Sequence, residues 1–338
     1  MTARLIRRGA SREDWHHALA RLAVEALVLL FVWLIVVSAA AADEPKPRFP
    51  APVFPGGKLP ADFDPQKFLE SFFGKAAGHL DNNELLDKVE VSWDEEFRLG
   101  QQLLDDLKQR LAAQKKTLVD RGRDVEYVSQ LAGQIQPQMR EAQRYRKLHI
   151  HVTNLSGPNA YALPGGHLIV TREMLDQAGC EAAVICVIGH ELSHLDRGHL
   201  LRRAKQWKLA QEQFTKPSTD FSFDKMLTKF GQMQQLFRLP FNPDQEAEAD
   251  RDGITWAYRA GYDPRAVQRV YEAMEAAGLA APEFLPAFLR THPLTAERRE
   301  SLRATYAQLQ AATPNDHLYL GRENLIRRLP RQQREFAD

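Results

Sequence analysis

Residues 184–199 read VICVIGHELSHLDRGH, an apolar run that turns abruptly into three histidines, a glutamate and an aspartate. Val184, Ile185, Val187 and Ile188 mark a segment made for a protein interior. Burying imidazoles and carboxylates beside them is costly unless each is paired or bound to a metal. Any fold open to this chain must therefore hold a buried helix whose end meets a satisfied polar cluster. Read as a helix, His190, Glu191 and His194 form HExxH. Residues four apart share a face, so both imidazoles can point at one ion about 2 Å from each nitrogen, with Glu191 placed to work on a metal-activated water. His199 lies about 180° around a continuous helix from His190. It reads as a surface or second-face histidine, and Asp196 also drops out of the set.

A zinc hydrolase usually takes a third protein ligand. The candidates lie in NPDQEAEADRDG, where Glu246 and Asp250 are one turn apart on a helix. One carboxylate can bind the ion while the other accepts a hydrogen bond from a ligand histidine and fixes its tautomer. Glu248 points elsewhere.

The near-balanced charge, +1 over 338 residues, offers no concentrated basic face for nucleic acid. The chain's start differs from the rest. A basic stretch with Arg4, Arg7, Arg8, Arg12 and Arg21 precedes the uncharged ALVLLFVWLIVVSAAAA of residues 26–42. Residues 1–42 thus read as an export signal, either a cleaved signal peptide or a signal anchor holding the protein to the membrane. The arginines keep that end in the cytoplasm, so the bulk of the chain is expected to be extracytoplasmic. Cys180 and Cys186, on one helix, are separated by about 9 Å of rise, beyond the roughly 7 Å reach of a disulfide. They read as small core residues.

Residues 43–65 hold seven prolines and predict an extended linker. Ser92-Trp93-Asp94-Glu95 is a capping box opening a helix to about residue 119, and a second helix starts near Asp124. LHIHVT (148–153) and HLIVT (167–171) read as strands, the latter introduced by the turn Pro164-Gly165-Gly166. His149 and His151 share one strand face, read as solvated. Helix resumes from Glu181 to about Ala204. An excursion to Pro240 carries phenylalanines 214, 221, 223, 230 and 237, read as core. Asn242-Pro243 caps a further helix ending at Gly261. A last helix follows THPLTAERRESL, and the tail from Thr313 is polar and irregular. Residues 66–312 therefore predict one α+β, mostly α domain around a small sheet, followed by a 313–338 tail.

HELSH, the later EAEAD matching ExxAD, and NAYALPGGHLIVTREML (159–175) together resemble the HtpX- and CAAX-prenyl-protease-like zinc metallopeptidases, which are gluzincins. The likeness covers roughly residues 92–310 and is strongest to exported, soluble bacterial members of the BepA-like type, without a repeat domain. It implies a zincin-like domain with its small sheet beside the HExxH helix, and one zinc per chain on His190, His194 and Glu246. Asp250 stands behind the ligands, and Glu191 acts as general base. It also implies a sheet edge at Asn159, Ala160, Tyr161, Gly166, His167 and Leu168 that receives a substrate peptide as an added strand. THPLTAERR matches the family's HPxxxxR, which places His292 and Arg298 near the site as oxyanion stabilisers, or as a cap on the metal for His292.

The resulting expectation is a zinc-dependent endopeptidase that hydrolyses peptide bonds of misfolded or envelope proteins through a metal-activated water, with Glu191 as general base. Two rivals remain: a chaperone-like binder of unfolded chains that keeps the zinc fold, and a zinc amidase. Intact Glu191 speaks against the first, and the strand-like NAYALPGGHLIV against the second. Oligomeric state has no marker in the sequence.

Overall fold

The computed structural model describes residues 83–214, 237, 241–272 and 296–338, all within one compact unit. The expected export segment, the proline-rich linker, Phe221, Phe223, Phe230 and His292 lie outside the described residues. Helix α1 (Asn83–Asp87) leads to α2 (Trp93–Ala113). The predicted capping box opens α2: Ser92 Oγ accepts from the Glu95 amide, and Glu95 Oε2 accepts from the Ser92 amide. α2 stops earlier than predicted, because Lys115 takes φ +56° and the chain turns into β1 (Leu118–Val119). Helix α3 (Arg123–Ile135) follows.

Three strands complete the sheet: β2 (His149–Thr153), β3 (Ala160–Leu163) and β4 (His167–Thr171). Their order is β1-β2-β4-β3, with β2 and β4 parallel and the other neighbours antiparallel. The β3–β4 hairpin needs Gly165, whose φ is +75° and whose added Cβ would lie 2.6 Å from Phe97 Cα. Alternation along the strands sends Ile150, Val152, Leu168 and Val170 into the main core. The opposite face is not solvated as expected, for the Phe97 ring of α2 lies 5.1 Å from His149 and 5.3 Å from His167. His151 and His167 are buried there and share a 3.1 Å hydrogen bond. Loss of hydration drives His151 down to about 4 and His167 to about 3, so both are neutral near pH 7.

After α4 (Arg172–Gln177) comes α5 (Glu181–Asp196), every residue of which is buried. The sequence suggests one helix to Ala204, but Gly198 at φ +72° breaks it, and α6 (His199–Phe214) starts in a new direction. Helix α7 (Pro243–Arg259) opens on Asn242 with Pro243 in its first turn, as predicted. Residues 264–266 form a 3-10 turn, and α8 (Ala296–Ala312) and α9 (Arg322–Arg327) close the chain. The segment from Thr313, read as an irregular tail, carries α9 and contributes Tyr319 and Leu325 to the core. Glu181 helps to anchor it: its carboxylate accepts from Tyr127, Tyr262 and the Arg331 amide. The fold is α+β and mostly α, as predicted.

What positions the site is the crossing of α5 and α7. They meet through glycines: a Cβ on Gly189 would lie 2.9 Å from Gly253 Cα, and a Cβ on Gly253 would lie 2.9 Å from both Cys186 O and His190 N. These obstacles are backbone and cannot rotate away. Gly253→Ala is therefore expected to destabilise the protein by about 1–3 kcal/mol despite the better helix propensity of alanine. A lower urea midpoint with unchanged slope would show it; an unchanged midpoint would mean that the helices part without cost.

Candidate metal centre

His190 and His194 lie one turn apart on α5, and the crossing sets Glu246, in the first turn of α7, against them. Their Nε2 atoms are 3.2 Å apart. Glu246 reaches each at 3.6 Å, Oε2 to His190 and Oε1 to His194. Among the described residues this is the group of three that could hold a metal ion. Two nitrogens each about 2 Å from a tetrahedral ion stand a little over 3 Å apart, so the spacing fits such an ion. All three residues are buried. Burial pushes Glu246 up to about 7 against the pull of Arg298 and His190, and a carboxylate so short of hydration is well suited to a cation.

Each imidazole is held from behind. His190 Nδ1 is 3.0 Å from Asp250 Oδ1, as a ligand histidine requires. Arg298, on α8, grips both carboxylates: Nη1 lies 2.7 Å from Glu246 Oε2, while Nε and Nη2 donate to Asp250 at 2.7 and 2.8 Å. Although burial raises Asp250, Arg298 and His190 overcome it and hold this carboxyl below its usual range.

His194 is flanked by groups that sequence reasoning set aside. Its Nδ1 is 2.9 Å from His199 Nδ1, and His199 Nε2 is 3.2 Å from Glu248 Oε2. Arg197 Nη1 holds the other oxygen of Glu248 at 3.1 Å. His199 is buried, not a surface residue; the break at Gly198 swings it back over His194, which a continuous helix could not do. The Arg197-Gly198 stop signal was the available clue. The Phe241 ring stacks on His194 at 3.9 Å, and Arg203 lies 3.7 Å over Phe241. Asp196 stays outside the cluster and accepts from the Glu141 amide.

Glu191 is buried, and its Oε2 accepts from the Ala162 amide of β3 at 2.9 Å. Burial raises its carboxyl well above the ordinary range, with the Glu246 charge adding and the Ala162 N–H opposing. A buried carboxyl group thus sits between the histidine helix and a sheet edge. Ala160 and Tyr161 belong to that edge strand, and Asn159 precedes it, its C=O accepting from Thr171 N. Gly166, His167 and Leu168 do not join them. Gly166 is in the hairpin turn, and the other two lie on β4, which is covered on both sides by β2 and β3.

A family model described as peptidase family M48 matches residues 128–306. The chain is 34% identical over 151 residues to mitochondrial metalloendopeptidase OMA1 of Arabidopsis thaliana, covering 43% of this chain and 28% of that one. It is 28% identical over 177 residues to the Schizosaccharomyces pombe protein of the same name, covering 51% of each. With the beta-barrel assembly-enhancing protease of Yersinia pestis the identity is 25% over 186 residues, 51% of this chain and 37% of that one. The chain thus spans about half or less of these relatives' lengths.

Proposed function

The chain belongs to peptidase family M48, and from that membership we propose that it is a zinc-dependent endopeptidase, with His190, His194 and Glu246 holding one zinc ion. When bound, the ion supplies Lewis acidity for a peptide carbonyl and for water. Glu191 carries the chemistry of the chain itself. Its carboxylate takes the proton of the attacking water and returns it to the leaving amide nitrogen, and the Ala162 N–H keeps it aimed between those two positions. This contact between the base and the strand edge is the observation that carries the proposal.

The same contact supports an extended peptide laid along β3. Asn159 turns its main-chain groups towards β4 and Ala162 turns its N–H towards Glu191. By alternation Ala160 faces the same way as Ala162, so a peptide pairing there through its backbone runs past the base with little demand on its side chains. Misfolded or envelope proteins fit such tolerance. A holding protein would have no use for a buried carboxylate aimed at that edge. We assign Arg298 to holding Glu246 and Asp250 rather than to the oxyanion, because its guanidinium is occupied by both. The role of His292 as oxyanion donor or metal cap rests on the HPxxxxR match alone.

An extracytoplasmic location rests on residues 26–42; among the described residues no helix is long and apolar enough to cross a membrane. The test of the function is cleavage of casein by the full chain. Chelation is expected to abolish it and added zinc to restore it. Chelator-resistant cleavage, or none with zinc supplied, would refute the assignment.

A further inference from the structure

We propose that His199 and Glu248 are positioning residues for the metal centre, forming a carboxylate–imidazole–imidazole relay that fixes the tautomer and ring angle of His194. The inference rests on the reading that His194 is a metal ligand through Nε2. A neutral imidazole that gives its Nε2 lone pair to a metal carries its hydrogen on Nδ1. That Nδ1 lies 2.9 Å from a second imidazole nitrogen, His199 Nδ1. His199 must therefore accept there, which leaves its own hydrogen on Nε2, pointing at Glu248 Oε2 3.2 Å away. The directions agree at each link: His194 donates to His199, and His199 donates to a carboxylate. Arg197 holds the far oxygen of that carboxylate and so sets the start of the relay.

The two ligand histidines are thus oriented by different means. His190 meets Asp250 directly, whereas His194 reaches its carboxylate through a second imidazole. The intervening ring is needed because Glu248 leaves α7 on another side from Glu246 and Asp250, about 200° around from the former. His199 bridges that gap from the first residue of α6, and its ring stands edge-on to His194 at 63° and 5.0 Å between centroids. Partners of this kind behind a ligand histidine typically govern affinity by about 10–100-fold.

The test is zinc affinity of the full chain, measured by competition with a chromogenic chelator, together with the visible spectrum of the Co2+-loaded protein and the melting temperature. His199→Ala is expected to bind zinc about 10–100-fold more weakly and to alter the Co2+ spectrum. His199→Asn, whose carbonyl can accept from His194 Nδ1, is expected to recover most of the loss, and Glu248→Ala to show a smaller one. Wild-type affinity in His199→Ala, with His194→Ala clearly weakened, would overturn the relay alone. Wild-type affinity in His194→Ala would overturn the ligand assignment itself. Should His199→Ala fail to fold, Glu248→Ala decides, since that side chain is partly exposed: unchanged affinity and spectrum there would overturn the relay.

Discussion

Glu191→Gln is expected to reduce casein cleavage by about 10²–10⁴-fold, the usual weight of a positioned general base, while zinc content and melting temperature stay at wild-type values. Glutamine matches glutamate in shape, and its carbonyl can still accept from the Ala162 amide, which Glu191 Oε2 now does at 2.9 Å. Only the ability to take up a proton is removed. Because the three side chains that converge to hold an ion are His190, His194 and Glu246, zinc binding should survive. Burial without charge is also easier for an amide than for a carboxylate, so no stability should be lost. Activity retained at the wild-type rate would remove Glu191 from the mechanism. Activity lost together with zinc would instead place it in the metal site.

Arg298→Ala is expected to cost about 3–5 kcal/mol of stability, because it strips a buried pair of carboxylates of their shared cation. Arg298 is 5% exposed and touches both Glu246 and Asp250. Lysine should rescue little, since a single ammonium cannot reproduce contacts from three guanidinium nitrogens. Zinc affinity should fall with stability, as Glu246 loses the group that holds it beside the histidines. An oxyanion role makes the opposite forecast: normal stability and zinc affinity with a lowered kcat. The two roles are separated by denaturant midpoint and zinc competition on one variant.

Local signals in the sequence proved readable because their causes are local. Ser92 with Glu95 and Asn242 with Gln245 form the caps their spacing suggests, and Pro164-Gly165-Gly166 turns the chain between strands. HExxH puts His190 and His194 on one face of α5, and ExxAD puts Glu246 and Asp250 one turn apart on α7, because helix periodicity fixes which residues share a face; the crossing of the two helices then brings Glu246 to the histidines. Relations between distant segments were harder to see. Nothing within HLIVT shows that β4 is interior and β3 the edge, since strand order depends on pairing. The burial of His151 depends on α2 lying across the sheet. His199 was misjudged through one dihedral angle, that of Gly198, and Arg298 could be placed near the site by its motif but not onto particular carboxylates.

Because α5 and α7 touch through the backbones of Gly189 and Gly253, the separation of the ligand-bearing helices does not depend on side-chain size. Core substitutions elsewhere can change volumes around the crossing while leaving that distance alone. The edge of β3, where we propose that a substrate peptide pairs, is built from other parts and can diverge without disturbing the crossing. Over evolutionary time, such a chain can exchange one set of target proteins for another while its hydrolytic chemistry stays as it is.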